Sequence, residues 1–284
     1  MATHSANSYY LPDPSHWPIT GSVGILFMAL GAALMMNGIG GGGWVLALGV
    51  AVMIYMLFGW FGTVIGESEA GKFNKQVDVS YRWSMSWFIF SEVMFFAAFF
   101  GALFYMRGLS VPWLGEGDTQ QLLWPDFKGG WPVSGPGIEE AFTPMGAWGI
   151  PAINTLILLT SGATLTWAHW GLKENNRGKL NMGMALTILL GLIFLSLQAY
   201  EYIHAYAVLK LKLTSGAYGA TFFMLTGFHG FHVTVGTIML IVIFFRCLKG
   251  HFTAERHFGF EAVAWYWHFV DVVWLLLFVL VYWM

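Results

Sequence analysis

Residues 257–284 read HFGFEAVAWYWHFVDVVWLLLFVLVYWM. The apolar part of this stretch, 261–284, and an earlier apolar run, 216–246, are each long enough to cross a bilayer, for which about 20 residues suffice. Four ionisable residues are set into these two runs: His229, His232, His268 and Asp271. Such a group costs roughly 2.5–3.5 kcal/mol at the centre of a membrane, so it usually faces protein, water or a ligand rather than lipid. The two runs therefore predict membrane-spanning helices whose polar residues have partners within protein.

The composition excludes a soluble globular protein. Of the 284 residues, 57% are hydrophobic and 10% are charged, and the mean hydropathy is +0.63. A soluble domain carries about 25% charged residues, so this chain is predicted to be an integral membrane protein. A net charge of -2 leaves no basic stripe, which excludes nucleic acid as a partner. The single cysteine, Cys247, excludes an internal disulfide. Residues 1–18 lack the pattern of a cleaved signal peptide.

Seven apolar windows have spanning length, which predicts an all-α integral membrane protein with seven transmembrane helices. The windows are 19–38, 43–65, 83–107, 148–170, 181–205, 216–246 and 261–284. In the first window, Gly24, Gly31 and Gly38 recur every seven residues, and small residues allow helices in lipid to approach closely. The longest connection, 108–147, is rich in Pro and Trp, and we expect it to lie as a cap on the outer surface.

The distribution of basic residues predicts the orientation. Nine of the 13 Lys and Arg residues fall in the connections on the side of the N-terminus. Since such residues accumulate on the cytoplasmic side, the N-terminus is predicted to be cytoplasmic, or in the matrix, and the C-terminus outside. On that inner side lie Arg82, Arg246 and His251, which serve either as a topology signal alone or as contacts for anionic lipid headgroups.

Glu92 lies within the third window, about 15 Å beyond Arg82 at a helical rise of 1.5 Å per residue. No charged residue lies four positions away on its own helix. One interpretation is a carboxyl group hydrogen-bonded to a neighbouring helix, and the other is a group that handles protons or contacts lipid. The residues alone do not separate the two.

The polar residues of the last two helices, with Glu92, allow two interpretations. His229 with His232, and His268 with Asp271, are i, i+3 pairs, and with Glu92 they form a plausible hard-metal constellation like that of the di-iron bundles. The alternative is a hydrogen-bonded network between helices. Di-iron bundles use two Glu-x-x-His pairs, and the one such pair here, formed by Glu201 and His204, is predicted at the opposite end of the membrane. We favour the network, and expect Gln198, Glu201 and His204 to be interfacial.

Several motifs resemble subunit III of the haem–copper cytochrome c oxidases. They are WFGTVIGES at 60–68, FSEVMFF at 90–96, NTLILLTSGATLTWAH at 154–169, and the block that begins at 257. The resemblance covers nearly the whole chain. It implies a two-helix part, 1–66, set apart from a five-helix bundle, 67–284, by a V-shaped cleft that holds phospholipids.

In function, the resemblance implies a non-redox core subunit of a proton-pumping cytochrome c oxidase, which transfers electrons from cytochrome c to O2. It implies direct contact with subunit I and a shared complex with subunit II, with haem and copper in the partner subunits and no cofactor in this chain. The implied role is to support proton uptake and the stability of subunit I. The expected location is the bacterial inner (plasma) membrane, with a cytoplasmic N-terminus and a periplasmic C-terminus.

The resemblance also implies roles for individual residues. Glu92 resembles the buried reactive carboxyl group of the family. The implied lipid-binding residues are Trp60, Glu67, Arg82, Arg246 and His251, and the implied structural polar network is His229, His232, His268 and Asp271, with no catalytic residue and no metal ligand. Many relatives have Arg where Gly66 stands, and the 108–147 loop is long for the family. The alternative function is an autonomous di-metal membrane oxidase or hydroxylase that uses Glu92, His229, His232, His268 and Asp271.

Overall fold

The computed structural model describes residues 10–138 and 141–283. Within these ranges the chain is helical without strands, and seven helices are long and apolar enough to cross a membrane, which confirms the predicted fold class. They are α1 (Trp17–Met36), α2 (Gly42–Glu69), α3 (Lys75–Tyr105), α4 (Ile150–Lys173), α5 (Arg177–Ala207), α6 (Gly216–Leu248) and α7 (Phe258–Leu277). A π-helical turn, Phe278–Trp283, continues α7.

The helices extend beyond several predicted windows. α3 begins at Lys75 rather than at 83, and α5 begins at Arg177 rather than at 181. The windows followed apolar side chains, whereas helical hydrogen bonding continues through polar flanks. At α5 the side chain of Asn176 caps the helix, because its Oδ1 accepts a hydrogen bond of 3.0 Å from the backbone N–H of Lys179.

The chain forms two compact units, with the boundary between Tyr81 and Arg82. In the first unit, α1 and α2 form a tight antiparallel pair built on small residues. A Cβ atom added to Gly31 would overlap the backbone of Leu46, and one added to Gly49 would overlap that of Met28. Gly38, which the spacing placed with Gly24 and Gly31, instead lies in the turn after α1 at φ +69°, with nothing packed against it.

The second unit is a helical bundle with Trp267 at its centre. This side chain is fully buried, and its Nε1 donates a hydrogen bond of 2.9 Å to Ser161 Oγ on α4. Gly191 on α5 and Gly236 on α6 form the walls against which the indole packs. Three helices are therefore fitted around one α7 side chain.

The connection from α3 to α4 is anchored to the start of α6. It contains a π-helical turn at Met106–Ser110 and a short helix at Gly117–Leu123. The Ser134 carbonyl accepts a hydrogen bond of 2.8 Å from the Ala217 backbone N–H, and the rings of Phe142 and Tyr218 stack at 5.4 Å. Much of the predicted cap is thus held against the bundle. Its side of the membrane remains a prediction.

Candidate functional site

Glu92 on α3 forms a hydrogen-bonded pair with His232 on α6. Glu92 Oε2 lies 2.8 Å from His232 Nε2, and His232 Nδ1 lies 2.6 Å from the carbonyl oxygen of Phe228. A carbonyl oxygen only accepts, so Nδ1 carries a proton. Nε2 then either accepts a proton from a carboxylic acid or donates one to a carboxylate. In both cases the pair shares one proton and has no net charge.

Aromatic rings surround this pair. The His232 ring lies 5.0 Å from the Phe96 ring, 5.8 Å from the Phe95 ring and 6.4 Å from the Tyr266 ring, measured between centroids. Because few dipoles solvate charge in such surroundings, the site favours states without net charge. The arrangement matches the cross-helix hydrogen bond of the first interpretation of Glu92, and it also provides a place where a proton can be held.

The other members of the predicted polar network lie elsewhere. His229 is buried between Phe194 and Trp274, and its Nε2 lies 3.2 Å from the Val270 carbonyl oxygen. On α7, His268 Nδ1 lies 3.6 Å from Asp271 Oδ2, and both face α4 at Gly162. A Cβ atom at that glycine would collide with the Asp271 carboxylate.

The five residues of the di-metal alternative do not converge on one point. In the described parts of the chain, none of them belongs to a group of three possible metal ligands whose donor atoms lie within 4.8 Å of one another. The group that meets this criterion is His169, His257 and Glu261.

Glu261 links three helices near one end of the bundle. Its Oε1 lies 3.1 Å from His257 Nε2 and 3.7 Å from His169 Nε2, while its Oε2 accepts a hydrogen bond from Arg82. The guanidinium already supplies a cation to this carboxylate, which disfavours a divalent ion beside it. Sequence reasoning missed the cluster, although His257 and Glu261 have the i, i+4 spacing of residues on one helix face.

Glu201 and Gln198 are buried among the helices rather than exposed on the surface of the protein. Their depth in the membrane stays a prediction. Glu201 Oε1 accepts a hydrogen bond of 2.6 Å from the hydroxyl group of Tyr282. The π-helical turn after α7 carries Tyr282 over α5 and covers these residues.

Comparison with known proteins identifies the family. The family model for cytochrome c oxidase subunit III matches residues 7–284. Cytochrome c oxidase subunit 3 of Marchantia polymorpha is 42% identical over 284 residues, covering 100% of this chain and 98% of the relative. The subunit 3 of Arabidopsis thaliana gives the same values, and that of Equus asinus is 42% identical over 282 residues, covering 99% and 98%. The chain belongs to the cytochrome c oxidase subunit III family.

Membership of the subunit III family has direct consequences for function. The chain is a subunit of cytochrome c oxidase, a membrane complex of the respiratory electron transport chain that contains further subunits. The alternative of an autonomous di-metal enzyme has no support in the family or in the placement of its five residues.

The residues that the resemblance to subunit III implies as lipid-binding are divided between the first and the second unit. In the first unit, Trp60 and Glu67 line a pocket of about 480 Å³ together with His16 and Lys72. Lys72 Nζ lies 2.8 Å from Asp13 Oδ2, and this hydrogen-bonded ammonium lowers the pKa of Asp13 from its ordinary value.

In the second unit, the lipid-assigned residues lie near the ends of helices. The Arg246 guanidinium lies 4.4 Å over the Phe252 ring. The backbone N–H of His251 donates a hydrogen bond of 3.1 Å to the Arg246 carbonyl oxygen. Arg82, besides its bond to Glu261, lies 5.2 Å over the Phe258 ring. Both arginines thus lie against aromatic rings, Arg246 in the last turn of α6 and Arg82 two turns into α3. A guanidinium group in such a place can bind a headgroup phosphate.

Proposed function

We propose that this subunit carries no redox centre, supports proton uptake by the oxidase and the stability of subunit I, and binds phospholipids. The observation that carries the proton-related part is the Glu92–His232 pair, whose shared proton lies among aromatic side chains. The FSEVMFF motif around Glu92, which resembles the segment that carries the family's buried carboxyl group, supports the same role. An additional proton on the pair changes its net charge, and 22% of the Glu92 side chain is exposed on the surface of the second unit.

The proposed partners are subunit I by direct contact and subunit II within the same complex, with haem and copper in the partner subunits. We place the chain in a bacterial inner membrane with a cytoplasmic N-terminus and a periplasmic C-terminus. The excess of basic residues in the connections on the N-terminal side supports this orientation.

Phospholipid binding is proposed at Trp60, Glu67, Arg82, Arg246 and His251. The pocket lined by Trp60 and Glu67 offers both a carboxylate and the Lys72 ammonium, which suits a zwitterionic headgroup. Arg246 and Arg82 each carry a guanidinium group, which can bind the phosphate of an anionic lipid headgroup.

Replacing Glu92 with Gln tests the proton-related role. The amide N–H of Gln can donate to His232 Nε2, so the cross-helix hydrogen bond is kept while the titratable carboxyl group is lost. We expect normal haem and copper spectra in the purified oxidase and a modest decrease in turnover that grows with pH, because protons become scarcer. Glu201→Gln is the matched control, since it also replaces a carboxyl group that is hydrogen-bonded to another part of the bundle, and it should leave turnover unchanged.

Two results would contradict this role. A loss of the haem or copper bands in Glu92→Gln would make Glu92 a structural requirement of the redox centres. A decrease in turnover of about 100-fold or more would make it an obligatory proton-transfer group rather than a supporting one.

Metal and haem analysis tests the non-redox assignment. The chain purified alone should contain neither haem nor stoichiometric metal, whereas the complex extracted in mild detergent should contain haem and copper with this subunit in equal amount. About two metal ions retained by the isolated chain would overturn the assignment and restore the di-metal alternative.

A further inference from the structure

Three side chains that can bind a metal ion converge near one end of the second unit. His169 lies in the last two turns of α4, His257 immediately precedes α7, and Glu261 lies in the first turn of α7. Glu261 Oε1 lies 3.1 Å from His257 Nε2 and 3.7 Å from His169 Nε2. Two ligand atoms of a tetrahedral zinc ion, each about 2.1 Å from the metal, are roughly 3.4 Å apart. Both distances from Glu261 are therefore close to the spacing that zinc imposes.

The His257 ring is held with one nitrogen directed at Glu261. Its Nδ1 lies 3.0 Å from the carbonyl oxygen of Thr253. A turn fixes this carbonyl group, because the Arg256 backbone N–H donates to Thr253 Oγ1 and the Thr253 backbone N–H donates to the Arg256 carbonyl oxygen. A carbonyl oxygen only accepts, so Nδ1 carries the proton, and the lone pair of the neutral ring is on Nε2. Histidines that bind metal ions are commonly oriented by a backbone carbonyl group in this way.

The nitrogen atoms that face Glu261 lack hydrogen bonds. His169 Nε2 and His257 Nε2 are both buried, and neither forms a hydrogen bond within residues 10–138 and 141–283. The His257 lone pair and the Glu261 carboxylate repel each other at 3.1 Å unless a cation or a proton lies between them. A proton joins only two of the three atoms and leaves one imidazole nitrogen without a partner. A metal ion accepts lone pairs from all three atoms at once, so it satisfies the cluster more fully.

Arg82 limits how tightly such an ion is held. Its guanidinium group donates to Glu261 Oε2, which leaves Oε1 to face the two imidazole rings. Two cations on the two oxygens of one carboxylate repel each other, and this repulsion lowers the affinity for the ion. The arrangement therefore fits an ion that exchanges with the surrounding solution rather than one that stays bound through purification.

We propose that His169, His257 and Glu261 bind one Zn²⁺ ion reversibly, with a water molecule as the fourth ligand. Two imidazole nitrogens and one carboxylate oxygen form a ligand set that zinc uses with an open fourth position, whereas Ca²⁺ and Mg²⁺ require mainly oxygen ligands. Exposure of 20% of the His169 side chain and 13% of that of Glu261 gives the ion and the water access. Zinc has no redox chemistry, so the site is compatible with a subunit that carries no redox centre.

Metal titration of the full chain tests the site. The chain, without a polyhistidine tag, is treated with a chelator in detergent, freed of the chelator, and titrated with zinc chloride by calorimetry. We expect one saturable Zn²⁺ per chain, and with cobalt chloride the intense visible absorption of tetrahedral Co²⁺. His169→Gln and His257→Gln should each lower the Zn²⁺ affinity about 10-fold to 100-fold or more, at least the loss found for residues that only orient a ligand.

His204→Gln is the matched control for these variants. His204 forms a Glu-x-x-His pair with Glu201 on α5, and it does not belong to the group of three that converges in the described part of the chain. The affinity for Zn²⁺ should therefore be unchanged in this variant. An equal loss of affinity in His204→Gln, or the absence of saturable binding by the wild type, would overturn the proposal.

Arg82→Gln provides a test with the opposite sign, which a misfolded variant cannot imitate. The Gln amide can still donate to Glu261 Oε2, but the competing positive charge is gone. The affinity for Zn²⁺ should rise about threefold or more. Because a ligand that binds the folded state stabilises it, Zn²⁺ should also raise the unfolding temperature of the wild type and of Arg82→Gln, but not that of His257→Gln. Unchanged affinity in an Arg82→Gln chain with a wild-type near-ultraviolet circular dichroism spectrum would contradict a site at Glu261.

Discussion

Trp267→Ala is expected to destabilise the second unit by about 3–5 kcal/mol, the range for removing a large aromatic side chain from a packed core. Trp267 is fully buried, and the walls of its site are backbone at Gly191 and Gly236, which cannot expand to fill the space. The substitution also leaves Ser161 Oγ without the indole donor. Because the cavity and the lost hydrogen bond both destabilise the folded state, this single change should have the largest effect on the stability of the bundle.

Thermal unfolding of the full chain in detergent, followed by near-ultraviolet circular dichroism, measures this loss. Trp87→Ala is the matched control, because Trp87 is 65% exposed on α3 and its removal should change stability by less than about 0.5 kcal/mol. The stability of Trp267→Phe should lie between those of the two alanine variants, since phenylalanine fills most of the cavity but lacks the N–H group. Equal stability of the Trp267 and Trp87 alanine variants would show that the indole is not the centre of the packing.

The number of helices could be predicted from the sequence, because a spanning helix in lipid must be both long and apolar. Their ends could not, since polar residues such as Lys75 and Arg177 continue the helical hydrogen bonding outside the apolar windows. Gly24 and Gly31 were correctly expected at a helix contact, whereas Gly38 was not distinguishable by spacing from a glycine required by a turn.

The hydrogen-bond partners of the polar side chains could not be predicted from the sequence. His229 and His232 have i, i+3 spacing, but three helical residues turn through about 300°, so the side chains diverge by roughly 60°. This divergence lets His229 contact α7 while His232 contacts α3. The hydrogen bond between Tyr282 and Glu201 joins residues 81 positions apart in the chain, so no local sequence pattern indicates it.

Gly31→Leu is expected to separate α1 from α2, with a loss of roughly 3 kcal/mol or more in their association. Overpacking commonly costs about 1–3 kcal/mol when side chains can yield, but here the inserted Cβ meets the backbone of Leu46, which can yield only if the helices move apart. Gly62→Leu is the matched control, because Gly62 lies on α2 with nothing packed against its Cβ position.

A cysteine replacing Met56 reports on this contact, since Met56 is buried against Gly21 of α1 and the native Cys247 is itself buried. In the Gly31→Leu background a membrane-permeant maleimide should label this cysteine several times faster, and in the Gly62→Leu background the rate should be unchanged. Equal rates in the two backgrounds would mean that α1 and α2 tolerate the added side chain, and that the close approach at Gly31 does not hold the pair together.

The result bears directly on lipid binding, because Trp60 and Glu67 belong to α2 and their pocket includes Trp17, the first residue of α1. A subunit with separated helices should therefore lose that pocket while keeping the Glu92–His232 pair of the second unit.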